Sequence, residues 1–100
     1  MAKGYWLARV DVKSADGYKL YVAALQPIFK KYGVRYVTRG GRAETPEGSE
    51  RSRVVILEFA SYDAALECYR SPEYRKAIAL RQAAADADLT ILEGFDGPQP

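Results

Sequence analysis

The run Arg53-Val54-Val55-Ile56-Leu57-Glu58-Phe59 limits what this chain can become more than any other stretch. At its centre are four consecutive apolar residues, three of them β-branched, with charge on either side. That composition reads as a strand apolar on both faces, which belongs inside a sheet and needs cover above and below. The cover must come from the rest of a 100-residue chain, a length that suits one domain. We expect that domain over residues 1–96, with Gly97-Pro98-Gln99-Pro100 as a flexible C-terminal tail.

The segments around this run have recognisable periods. Tyr5 to Val12 alternates as a strand, with Trp6, Ala8, Val10 and Val12 on one side and Tyr5, Leu7, Arg9 and Asp11 on the other. Ser14 is a plausible N-cap, and Tyr18, Tyr21, Val22, Leu25, Ile28, Phe29 and Tyr32 then recur at the helical step. Pro27 lies inside that pattern and predicts a kink or a break before the last turn. Gly33 is placed to end the helix. Val34 to Arg39 reads as a short strand, followed by a long, polar, mobile hairpin loop from Gly40 to Ser52. After the central strand, Ser61 caps a helix over Tyr62 to Tyr69, and Ser71-Pro72 starts another. Asp86 to Asp88 is expected to end it, leaving Leu89 to Phe95 as the last strand.

The order strand, helix, strand, strand, helix, strand, with right-handed crossovers, places both helical regions on one face of a four-stranded antiparallel sheet. This is the α+β, ferredoxin-like βαββαβ sandwich. Beneath the helices we place Trp6, Ala8, Val10 and Val12 of the first strand, Val34, Tyr36 and Thr38 of the second, Val55, Leu57 and Phe59 of the third, and Thr90, Leu92 and Gly94 of the last. The opposite face then carries Tyr5, Leu7, Val37, Val54, Ile56, Leu89 and Ile91, with Arg9, Asp11, Arg35, Arg39, Glu58 and Glu93 set among them. No element is left to cover that face, and monomers avoid exposing an apolar patch of this size. A second copy placed sheet against sheet is the simplest cover, so the expected partner is the chain itself, as a homodimer. Arg9 and Arg39 would then meet Glu58 and Glu93 in a half-buried space that tolerates charges only when they are paired.

Composition closes off several chemistries. Histidine is absent and Cys68 is the single cysteine, which removes His-based triads, His-ligated zinc, proximal-His haem and an internal disulfide. No metal and no cofactor is expected. A formal net charge of +2, scattered along the chain, gives no case for nucleic acid, and the central strand lacks the aromatic signature of RNA-binding sheets. No apolar run is long enough for a membrane span, and the start lacks a signal-peptide pattern, so a cytoplasmic location is expected.

Arg39-Gly40-Gly41, Glu47-Gly48, Arg53, Glu58-Phe59 with Ser61, Tyr69-Arg70-Ser71-Pro72-Glu73-Tyr74, Arg81 and Glu93-Gly94 together resemble the pattern of the domain of unknown function family 1330. The resemblance runs from about Tyr5 to Glu93 and implies a dimeric α+β barrel in which two ferredoxin-like sheets close face to face. Cys68, where the family often has tryptophan, and Ala60, where proline is common, depart from the pattern. The family has no settled activity, so the resemblance leaves the function open.

Two functional readings follow. In the first, each barrel half holds a small anionic or phenolic molecule. Glu58 would serve as general base and Arg39 as the anion-holding group, with Arg9, Tyr69, Tyr74, Arg81 and Glu93 as binding residues and cofactor-independent acid/base or oxygen chemistry as the reaction. In the second, the domain is a non-catalytic ligand-binding or protein-interaction module, and its buried charges only fix the dimer. Arg39-Gly40-Gly41-Arg42 can be read as an anion nest or as a turn out of a strand. Tyr74 and Arg81, seven residues apart on one helical face, can line a pocket mouth or pack in the core. Cys68, with no histidine to activate it, reads as a buried thiol.

Overall fold

The computed structural model describes residues 2–100. Its elements are β1 (Gly4–Val12), α1 (Ala15–Tyr32), β2 (Arg35–Arg39), β3 (Arg53–Phe59), α2 (Tyr62–Arg70), α3 (Pro72–Ala84) and β4 (Ala85–Glu93). The strands form one antiparallel sheet in the order β2-β3-β1-β4, with the helices on one side of it: a ferredoxin-like fold.

The helix boundaries follow from local chemistry. Ser14 Oγ accepts from Gly17 N at 3.1 Å, Ser61 Oγ from Ala64 N at 3.0 Å, and Ser71 Oγ from Tyr74 N at 3.2 Å. Each satisfies an amide that the first helical turn leaves without a partner. Ser71 serves twice, since its hydroxyl also donates to the Cys68 carbonyl at 2.7 Å and so closes α2 while opening α3. Gly33 ends α1 in the left-handed conformation (φ 63°). The expected break at Pro27 does not occur, and α1 runs through it for 18 residues.

Trp6 organises the core. It is 1% exposed, and its ring lies 4.9 Å from Tyr74, 5.1 Å from Phe59, 5.8 Å from Tyr69 and 5.9 Å from Phe29, centroid to centroid. Its Nε1–H donates to the Ala65 carbonyl of α2 at 2.9 Å, so the buried indole is satisfied as well as packed. Leu25, Ile28, Phe29, Leu57, Ala65, Ala77 and Ile78 complete the layer between sheet and helices. Gly4 allows β1 to pass under the β3–α2 connection, because a Cβ there would collide with the Ser61 backbone carbonyl.

Two strands differ in phase from the sequence expectation. The first is β4, which begins at Ala85 directly out of α3 and not at Leu89. Ala85, Ala87, Leu89 and Ile91 pair with Val12, Val10, Ala8 and Trp6 and face the helices, while Thr90 and Leu92 lie on the open side. The alanines between Asp86 and Asp88 fit a strand as readily as a helix end, and pairing with the long β1 decides between them. The second is β2, where a bulge at Val37 shifts the register: Tyr36 pairs with Leu57, Thr38 with Ile56 and Arg39 with Val55. One extra residue turns the end of the strand over. Thr38 therefore lies on the open side, where its hydroxyl accepts from Ile56 N at 3.0 Å, and Arg39 lies on the helix side.

The open side carries Leu7, Val54, Ile56, Thr90 and Leu92 with Tyr5, Arg9, Arg35 and Glu58 among them. The long loop from Gly40 to Ser52 contains no helix or strand. Its second half is nevertheless tied down: Ser52 N donates to Asp11 at 2.8 Å, and Arg51 reaches both Asp11 (3.0 Å) and Asp88 (2.8 Å).

Candidate functional site

Between α1, α3 and the helix side of the sheet lies a partly open cavity of about 40 Å³. Its walls are mostly apolar, from Trp6, Leu25, Phe29, Val55 and Leu57. By volume it admits no more than a few waters. It continues past Tyr18, Val22, Arg39 and Arg53 into an outer groove of about 380 Å³ along α1.

Three guanidiniums line this space, and no carboxylate does. Arg39 is brought in by the bulge, and its Cζ stacks 4.2 Å from the Tyr36 ring centroid. Arg53 opens β3 opposite Val10, with its guanidinium 5.7 Å from the Tyr18 ring. It also lies against Gly40, whose positive φ (70°) and missing Cβ make room for it. Arg81 comes down from α3 and is only 8% exposed. The Nε atoms of Arg53 and Arg81 are buried without a hydrogen-bond partner. The ion pairs among the described residues use Arg9, Lys13, Lys31, Arg35 and Arg51, and none uses Arg39, Arg53 or Arg81. The buried Nε–H groups of Arg53 and Arg81 are costly in a folded chain unless an acceptor arrives to meet them, while Arg39 is exposed at the rim.

Behind Arg81 the hydroxyls of Tyr21 and Tyr74 share a hydrogen bond of 2.8 Å. Burial pushes both phenols above their ordinary range, with Arg81 pulling the other way, so both stay protonated. They are hydrogen-bonding groups, not bases.

Residues 3–95 match the family described as Domain of unknown function (DUF1330). The chain belongs to that family. No curated protein matches this DUF1330 chain. Among solved structures it is similar to a protein of unknown function from Rhodopseudomonas palustris, with 26% identity and a TM-score of 0.77 over 96% of this chain and 85% of that one. It is similar in fold to SnoaB, a cofactor-independent oxygenase from Streptomyces nogalater, at 16% identity and a TM-score of 0.68 over 100% and 97% of the two chains. A dimeric ferredoxin-like protein of unknown function from Thermobifida fusca shares the fold at 12% identity and a TM-score of 0.61, covering 91% and 90%.

In the DUF1330 chain the residues expected to form one site divide between the two sides of the sheet. Arg39 and Arg81 line the cavity. Tyr74 is fully buried behind it, held by Tyr21 and packed on Trp6. Tyr69 packs on Trp6 and Tyr74, with the Arg75 guanidinium over its ring at 4.2 Å. Glu58 is on the open side, where it accepts from Arg35 at 3.3 Å and from the Tyr5 hydroxyl at 3.0 Å. Those two hydrogen bonds, Arg35 first, hold its carboxyl below the usual range, which makes it a poor proton acceptor. Arg9 is also on the open side, near Asp88 (3.5 Å) and the Ser49 carbonyl (3.2 Å). Glu93 sits exposed at the end of β4, on the strand side that Leu89 and Ile91 share. The expected meeting of Arg9 and Arg39 with Glu58 and Glu93 is therefore replaced. The bulge moves Arg39 away, the phase of β4 moves Glu93 away, and Arg35 takes Glu58.

Arg53 and Tyr18 were not singled out as site residues from sequence. The signal was present, since Arg53 shares the parity of Val55, Leu57 and Phe59 and so had to point under the helices.

Cys68 is fully buried, and burial pushes its thiol up to about 12. We expect iodoacetamide to leave the native protein unlabelled over a period in which the denatured chain is fully modified. Stoichiometric labelling of native protein, followed by mass spectrometry, would contradict that burial.

Proposed function

We propose that this DUF1330 domain is a cytoplasmic homodimer in which each chain binds a small anionic molecule, its charged head in the cavity between α1, α3 and the sheet and its apolar body in the outer groove along α1. The observation that carries the reading is the set of three guanidiniums lining one apolar space with no carboxylate among its walls, Arg53 and Arg81 each with a buried, unpartnered Nε and Arg39 exposed at the rim. A bound anion would supply the missing charge and hydrogen-bond acceptors, and the apolar walls would exclude water and strengthen the attraction. The open side, apolar with charges that already have partners, suits burial against a second copy. The Thermobifida fusca relative is described as dimeric, which supports this.

Chemistry on the bound molecule is a second reading, favoured by the same cations. Three guanidiniums would stabilise a phenolate or enolate over its protonated form, and SnoaB, which shares the fold, is described as a cofactor-independent oxygenase. Glu58 has no part in it, being across the sheet and engaged by Arg35. Within the cavity the binding reading stands without a base, and the catalytic one requires a substrate acidic enough to ionise on binding.

The test is a thermal-shift screen of small carboxylates, phenols and phosphates against neutral analogues. At a hundredfold excess over Kd, a ligand of the native state adds about 2.7 kcal/mol, which for a domain of this size raises Tm by roughly 10–20 °C. Arg39→Ala should shrink that shift while leaving the unliganded Tm nearly unchanged, because Arg39 is exposed at the rim. A screen in which no anion shifts Tm, or in which neutral analogues shift it equally, would overturn the reading.

A further inference from the structure

We propose that Arg53 and Arg81 form a clasp for one carboxylate, and that the ligand of the cavity is a small monocarboxylate whose body is a single aromatic ring or a branched apolar group. The inference rests on the anion-binding reading above and specifies its chemistry. Two observations lead to it. Both arginines line the same small chamber, and in both it is Nε that is buried without a partner. The Nε–H is half of the guanidinium edge, Nε–H with Nη–H, that matches the two oxygens of a carboxylate in parallel. Two such edges offer four donors, and a carboxylate has about four lone-pair positions to meet them. Arg53 pairs with Val10 from β3, and Arg81 lies by Ala87, which pairs with Val10 from β4, so both cations come from the same end of the chamber.

The rest of the chamber discriminates among anions. A phosphate is tetrahedral, larger and more strongly hydrated, and is usually met by clustered backbone amides or a helix N-terminus. The wall here is built of Trp6, Leu25, Phe29 and Leu57, with about 40 Å³ of free space. A phenolate presents one oxygen and would leave most of the second guanidinium edge unmet. A carboxylate uses both edges, and its ring or branched tail extends along Val22 into the outer groove.

The experiment compares benzoate, phenylacetate and 3-methylbutanoate with benzamide, phenol and phenyl phosphate by calorimetry on the wild-type protein. Hydrogen bonds between charged partners predict that benzoate binds roughly 10- to 150-fold more tightly than benzamide. Arg53→Lys and Arg81→Lys keep the charge and remove the Nε edge, and each should weaken carboxylate binding at least about tenfold. If Arg81→Lys does not fold, the arginine Nε–H resonances of the wild type serve instead: those of Arg53 and Arg81 should shift on adding benzoate while that of Arg75 stays in place. A preference for phenyl phosphate, or lysine variants that bind as the wild type, would overturn the clasp and leave the cavity reading intact. Equal binding of benzoate and benzamide, or a preference for neutral phenol, would overturn the anion reading as well. Failure of every compound to bind would overturn both.

Discussion

Trp6→Ala is expected to cost about 4 kcal/mol of folding stability, the range found when a fully buried aromatic is truncated. For a domain of this size that lowers Tm by roughly 15–30 °C. The size of the effect comes from convergence. Trp6 touches the rings of Phe29, Phe59, Tyr69 and Tyr74, which come from α1, β3, α2 and α3, so its loss opens a void bordered by all three helices. Interiors of native density relax only partly around such a void. Trp6→Phe separates packing from hydrogen bonding, since it keeps a ring and removes the Nε1–H bond to Ala65. It should cost about 1–2 kcal/mol from the lost donor and the smaller ring. Urea unfolding followed by far-ultraviolet circular dichroism measures both. A loss below about 1 kcal/mol for Trp6→Ala would mean that the indole is not the keystone of the core.

Ile56→Glu is expected to abolish the proposed dimer without unfolding the chain. Ile56 sits mid-strand on the open side, opposite Leu7 and Thr38, and makes no part of the chain's own core. In a two-fold sheet-on-sheet dimer each substitution appears twice, so two carboxylates enter one desolvated layer, a juxtaposition worth several kcal/mol. The dimer Kd should rise roughly a thousandfold or more. Sedimentation at micromolar concentration should show wild-type protein at twice the 11.1 kDa chain mass and the variant at that mass, with unchanged circular dichroism. Wild-type protein that sediments as a single chain would remove the homodimer from the proposal. The cavity, which lies on the other side of the sheet within one chain, would remain.

The architecture was legible in the sequence because it is written in local signals. Three serines at helix starts, Gly33 at a helix end and the apolar run of β3 each act within a few residues, and each behaves in the fold as its chemistry dictates. The site was legible only in part, since which side of a sheet a residue faces depends on counting in twos. Two miscounts, at Val37 and at Asp86–Asp88, reassigned Arg39 and Glu93. A bulge leaves no mark in composition: Tyr36-Val37-Thr38 alternates acceptably in either phase, and only pairing with Leu57 and Ile56 reveals the extra residue. Arg53, by contrast, keeps the phase of β3 and needed only to be counted with its neighbours.

The bulge at Val37 also makes chain length a means of tuning selectivity. Deleting that one residue would return Thr38 to the space under α1 and throw Arg39 out to the far surface, removing a cation from the rim without substituting any side chain. A scaffold of this shape can therefore change the charge it welcomes through a single-codon gain or loss in β2, with the strands that carry its core left as they are.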